Sequence, residues 1–137
     1  MIQGQSGKNM VFVQCSDPRI RKGAKAVTFE YGFDGKPFGL IAIPGGATGQ
    51  GVLSYIEFFH KQRGVDVCIL SIHPDCLWGT AHGRTPEQMH AEMHVVADQV
   101  RALGINEVHL HFIKHDGTHI NCACHHAHQQ ILQAVNE

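Results

Sequence analysis

Two short stretches carry residue types suited to metal chemistry: Cys15-Ser16-Asp17-Pro18-Arg19 and His73-Pro74-Asp75-Cys76. Each follows a run that reads as a buried β-strand, Val11-Phe12-Val13-Gln14 for the first and Val67-Cys68-Ile69-Leu70-Ser71-Ile72 for the second. If those strands are parallel neighbours, Cys15, His73 and Cys76 meet at one edge of a sheet. Zinc prefers thiolate sulfur and imidazole nitrogen in a tetrahedron, and a catalytic site keeps three protein ligands so that water takes the fourth position. Such an ion acts as a Lewis acid and brings bound water to hydroxide near neutral pH. Asp17 and Arg19 follow Cys15 closely enough to form a charge-assisted pair beside the metal. Held by Arg19, the Asp17 carboxylate would orient a metal-bound hydroxide; without that partner it would ligate and close the site. Taken singly, Cys15 reads as a buried thiol, His73 as a turn histidine and Asp17-Arg19 as a surface ion pair of about 0–1 kcal/mol. Together, at two strand ends, they favour a metal, either in an open site or in a closed structural one.

The elements that must position these residues are read from periodicity. Residues 26–31 alternate like a half-buried strand, and 38–43 form a second apolar run. The two would make a hairpin, or the second alone would lie in the main sheet. The glycine-rich stretch 44–51 matches neither the P-loop nor the dinucleotide fingerprint, so its glycines are read as letting backbone pass close to another element. A helix is predicted over 52–63, with Val52, Ile56 and Phe59 on one face and Gly64 as its stop. Residues 65–72 are almost continuously apolar, as expected of a central parallel strand. Residues 77–84 read as loop. Thr85 then caps a helix, with Pro86 first, that runs to about Leu103. Met89 and Met93 are read as core filler, and His90 and His94, one turn apart, as exposed. Residues 107–113 alternate, with Val108, Leu110 and Phe112 facing one way and His109 and His111 the other. A turn follows at Asp116-Gly117, and 121–135 would close the chain as a helix. Alternating strands and helices imply an α/β fold with a mostly parallel sheet, whose sites form beyond the carboxyl ends of strands.

At 137 residues the chain is about one domain long. A net charge of −1 gives no basic footprint for nucleic acid and no cationic face for a membrane surface. No run has signal-peptide or membrane-span character, and five cysteines, an odd number, argue against a disulfide framework. A cytoplasmic protein with reduced thiols, some holding metal, is expected. Of 12 histidines eight lie from His94 onward, and Cys122-Ala123-Cys124-His125-His126-Ala127-His128 gathers soft and borderline ligands that would suit a second metal or simply sit on a polar helix.

The paired motifs resemble those of the β-class carbonic anhydrases, whose Cys-x-Asp-x-Arg is matched by Cys15, Asp17 and Arg19 and whose His-x-x-Cys is matched by His73 and Cys76. The late stretch Val108-His109-Leu110-His111-Phe112 is also similar to that family's last strand, and the resemblance runs from about residue 10 to 120. It implies a four-stranded, mostly parallel sheet with an added antiparallel strand and helices on both faces. The whole chain, 1–137, would be one such domain with 1–9 and 129–137 loosely ordered. The resemblance further implies Zn2+ held by Cys15, His73 and Cys76, with Asp17 positioning hydroxide and Arg19 holding Asp17. The implied reaction is reversible hydration of carbon dioxide to bicarbonate in a homodimer or larger oligomer, with a histidine to export the proton. Where that family usually has an Arg-Asn-Ala-Gly type turn, this chain has Ile43-Pro44-Gly45-Gly46-Ala47, and Leu77 and Trp78 stand where glycine usually follows the second cysteine. Gly45, Gly46 and Trp78 are therefore expected to shape the substrate pocket. Hydrolysis of carbon disulfide or carbonyl sulfide at the same metal, or a non-catalytic metal-binding or sensory role, are the alternatives.

Overall fold

In the computed structural model, residues 9–32 and 39–122 are described. Strands β1 (Met10–Gln14), β2 (Gly39–Ala42), β3 (Val67–Ile72), β4 (Glu107–Ile113) and β5 (His119–Asn121) form one sheet in the order β2-β1-β3-β4-β5. The first three pairings are parallel, and β4 pairs antiparallel with β5. This is the expected α/β architecture. Every residue of β3 is buried, which is why its sequence is apolar without alternation.

Four helices connect the strands: α1 (Arg21–Glu30), α2 (Val52–Arg63), α3 (Leu77–Ala81) and α4 (Pro86–Ala102). From β1 the chain steps outward to β2, then returns past β1 to β3 and on to β4. Right-handed crossovers with that order put α1 on one face and α2 and α4 on the other. The packing agrees. Gly23 of α1 lies against Ile113, Phe59 of α2 covers Gly39, and α4 packs on β3, β4 and α2.

Two sequence expectations are corrected. Residues 26–31 are not a strand, and no hairpin joins them to β2; they belong to α1 and the turn after it. Gly23, Ala24, Val27 and Thr28 are buried at helical spacing, whereas Phe29, which a strand would bury beside Val27, is 50% exposed. Because β1 and β2 are parallel, the link between them has to cross over the sheet, and a helix does this while satisfying its own backbone. The second run alone lies in the sheet. Residues 77–81 are likewise helical and not loop. Gly79 costs this turn intrinsic propensity, but Met89 packs against it and the Arg84 N–H donates to its carbonyl at 2.8 Å, so tertiary contacts decide.

Most other readings hold, and His90 is a third correction. Helix α2 ends at Gly64 in a left-handed conformation (φ 64°), and Thr85 forms a capping box with Gln88 at the start of α4. Met89 and Met93 are core residues. His94 is exposed, but His90 is buried, its ring edge-on to that of His94 with the two Nε2 atoms 3.2 Å apart. Among the described residues no helix is long and apolar enough to cross a membrane. Cys15, Cys68, Cys76 and Cys122 are buried and free. Cys122 packs as a structural thiol, pushed up to about 12 by burial. Asn121 ends β5 and Cys122 is in a turn, so the helix expected from 121 does not begin there, and the rest of the cysteine- and histidine-rich tail lies outside the described residues.

Candidate metal centre

The sheet reverses its strand order between β1 and β3, where the crossovers diverge to opposite faces and leave a crevice at the carboxyl ends. Cys15 follows β1 and His73 follows β3, so the register that pairs Val13 with Leu70 brings them side by side. Two further contacts fix this edge. Ser71 Oγ donates to the Val13 carbonyl at 2.6 Å, and the Ser16 N–H donates to the Ile43 carbonyl at 3.2 Å. Gly46 sits beneath, where a Cβ would fall 2.6 Å from the Ser71 carbonyl oxygen and 2.9 Å from the Cys15 nitrogen. The close backbone approach read from the glycine-rich stretch is thus under the site itself.

Cys15, His73 and Cys76 converge, with ligand atoms all within 4.8 Å of one another and no residue more than 5% exposed. The two Sγ atoms are 4.0 Å apart. Their contact draws the Cys15 thiol well below its ordinary value and raises Cys76, so the pair holds one proton between them; His73 and the backbone N–H groups of Asp17 and Gly45 also favour the Cys15 thiolate. Burial opposes charge at both sulfurs. His73 Nδ1–H donates to the Pro74 carbonyl at 2.7 Å, which turns Nε2 inward as the free lone pair. That Nε2 is buried without a hydrogen-bond partner. A buried thiolate and an orphaned imidazole nitrogen, facing one another, are costly unless a cation joins them. The donor set, two sulfurs and one nitrogen, fits a zinc-type ion.

Asp17 stands beside this triad, with Oδ2 4.0 Å from His73 Nε2. It caps the short 3-10 turn Pro18–Ile20 by accepting the Arg19 backbone N–H at 2.9 Å. The Arg19 guanidinium holds both carboxylate oxygens, with Nη2 at 2.7 Å from Oδ2, and keeps Asp17 ionised down to about 2. Two residues absent from the sequence argument complete the arrangement. Asp75 accepts Arg19 Nη1 on its carboxylate at 3.1 Å and Nη2 on its carbonyl at 2.9 Å. Its backbone is left-handed (φ 54°), which turns the chain so that Cys76 returns toward Cys15. His115, beyond β4, places Nε2 3.2 Å from His73 Nδ1, and Asp17, His73 and His115 form a second close group. The only sequence signals for these two were an Asp in a tight turn and a histidine after a strand.

The crevice opens into a cavity of about 470 Å³, walled by Pro18, Pro44, Leu77 and Trp78 and floored by Cys15, Asp17 and Arg19. Trp78 lines it as expected. Gly45 and Gly46 do not; they are buried behind it, and Gly45 (φ 88°) leaves room for the Trp78 ring, 2.8 Å from where its Cβ would be. His82 stacks on Trp78 and the Arg84 guanidinium lies 5.3 Å from the indole centroid, so two residues that follow it in the chain hold the ring. Among the described residues Arg19 is the cavity's one cationic lining residue, and two carboxylates already engage it.

No protein-family model matches this chain. No curated protein matches its sequence. Among solved structures it is similar to the crystal structure of the β-carbonic anhydrase CafA of the fungal pathogen Aspergillus fumigatus, at 14% identity and a TM-score of 0.48, covering 93% of this chain and 83% of that one.

Proposed function

We propose that this chain is a zinc-dependent lyase of the carbonic anhydrase type, catalysing the reversible hydration of carbon dioxide to bicarbonate. The observation that carries the reading is the buried, partnerless Nε2 of His73, within 4.8 Å of both thiol sulfurs and 4.0 Å from an aspartate locked by arginine. Cys15, His73 and Cys76 would hold the metal. Zinc there supplies Lewis acidity that makes water a nucleophile near neutral pH.

The chain's own residues do the rest. Asp17 accepts a hydrogen bond from the attacking water and aims its lone pair at the substrate carbon. Arg19, committed to Asp17 and Asp75, prevents the carboxylate from swinging inward to ligate. The apolar walls at Pro18, Pro44, Leu77 and Trp78 admit a neutral, linear molecule, and Arg19, the cationic lining residue among those described, is already engaged by Asp17 and Asp75, which keeps the hold on an anionic product weak. Those walls also favour carbon disulfide or carbonyl sulfide, a second reading on the same residues. The buried, free cysteines support a cytoplasmic setting, and we place the working unit as a homodimer or larger.

Stopped-flow carbon dioxide hydration by the zinc-loaded protein tests the proposal. At least a ~100-fold excess of wild type over Cys15→Ser is expected for loss of a metal ligand, and equal rates would sink the enzyme reading. In parallel, a chelator should lower the melting temperature of wild type and leave Cys15→Ser unmoved, since metal binding is linked to folding. Sulfide release from carbonyl sulfide, measured on the same samples, separates the two substrates.

A further inference from the structure

The antiparallel pairing of β4 and β5 sets His111 opposite Asn121 and Ile113 opposite His119, so His111 and His119 are diagonal neighbours on the face that α1 covers. Their Nδ1 atoms are 3.0 Å apart. Each ring's outer nitrogen is held by an oxygen: His111 Nε2 by the Tyr31 hydroxyl at 2.7 Å, and His119 Nε2 by the Glu30 carboxylate at 2.9 Å. Both imidazoles are therefore fixed in orientation from outside, with two nitrogens facing inward. A metal-ligating histidine usually has its far nitrogen held by such an outer group, and the Glu30 carboxylate on His119 is of that kind. The spacing fits as well. With metal–nitrogen bonds of about 2.0–2.1 Å, two cis nitrogens lie about 2.9 Å apart at a right angle and about 3.4 Å apart in a tetrahedron.

We infer that His111 and His119 form the nitrogen core of a second divalent transition-metal site, separate from the cysteine centre and suited to an imidazole-binding ion such as nickel. The remaining coordination positions fall to water, entering from the side of His119. In the metal-free protein one proton bridges the two Nδ1 atoms. When the ion takes its place, the His111 proton moves to Nε2 and donates to the Tyr31 oxygen, so the ring stays neutral and its outer contact persists. On the same face His109 packs on Tyr31, whose hydroxyl holds His111, and its Nε2 bonds the Glu107 carboxylate at 2.8 Å.

Equilibrium dialysis of the zinc-loaded full chain against Ni2+, with both metals counted by mass spectrometry, tests this. About one nickel per chain is expected on wild type, and a loss of nickel with unchanged zinc in His119→Asn. Glu30→Gln, an exposed change that removes no ligand, should weaken nickel binding by roughly 10-fold or more, and its circular dichroism should be unaltered. Nickel absent from wild type, or bound equally by His119→Asn, would overturn the inference. So would retention in His119→Asn with loss in a variant bearing asparagine at His125, His126 and His128, which would assign the metal to the tail. The nickel count does not depend on whether the cysteine centre is catalytic.

Discussion

Arg19 and Asp17 are joined by the whole edge of the guanidinium, with Nε 3.1 Å from each carboxylate oxygen and Nη2 2.7 Å from Oδ2, while the Arg19 backbone N–H donates to Oδ1. A carboxylate gripped in this way faces the His73 Nε2 without ligating in its place.

Arg19→Gln should therefore separate metal binding from catalysis. The pair is partly exposed, so the unfolding midpoint should change little. Freed of its partner, Asp17 can swing the short distance to the metal, closing the site, and the hydration rate should fall about 100-fold, the scale of losing a positioned catalytic group. Bound zinc should stay near one equivalent. Zinc loss equal to that of Cys15→Ser would show that Arg19 supports the ligands themselves.

Gly46→Ala should be costly despite adding one methyl group. The new Cβ would stand 2.6 Å from the Ser71 carbonyl oxygen and 2.9 Å from the Cys15 nitrogen, in a backbone with φ 54°. Strain at such a position costs about 1–3 kcal/mol, and it would be relieved only by parting the ends of β1 and β3. Urea unfolding should show the loss, and zinc affinity should fall with it. Undiminished affinity would mean that the edge is not held together at Gly46.

Helix α1 makes a prediction that a strand would not. Val27 is fully buried and Phe29 is 50% exposed, although both would lie on one face of a strand. Val27→Ala should cost about 2 kcal/mol, whereas Phe29→Ser should stay within about 0.5 kcal/mol. Comparable losses in denaturant unfolding would restore the strand.

The four strand and helix positions that were most legible share a cause. β3, α2, α4 and β4 each carry a period or a cap that is local: an unbroken apolar run, Gly64 as a stop, Thr85 with Pro86, alternation through Phe112. In α1 the alternation at 26–31 and the helical spacing of Ala24, Val27 and Thr28 coexist, and the parallel pairing of β1 with β2 selects the helix. His90 shows the same limit, since burial of a polar ring on α4 depends on what packs over it and not on its neighbours in sequence.

The amino-acid sequence by itself determined the donor types gathered at the candidate metal centre, Cys15, His73 and Cys76, and the strand ends that carry them, because donor chemistry and strand hydrophobicity are properties of the residues. Tertiary structure decided the rest. Only the folded sheet shows that Asp75 turns left-handed to grip Arg19, that His115 approaches His73, and that His111 and His119 meet across two strands. These relationships depend on how strands and turns are placed against one another, and the register of a sheet is fixed by packing of the whole core.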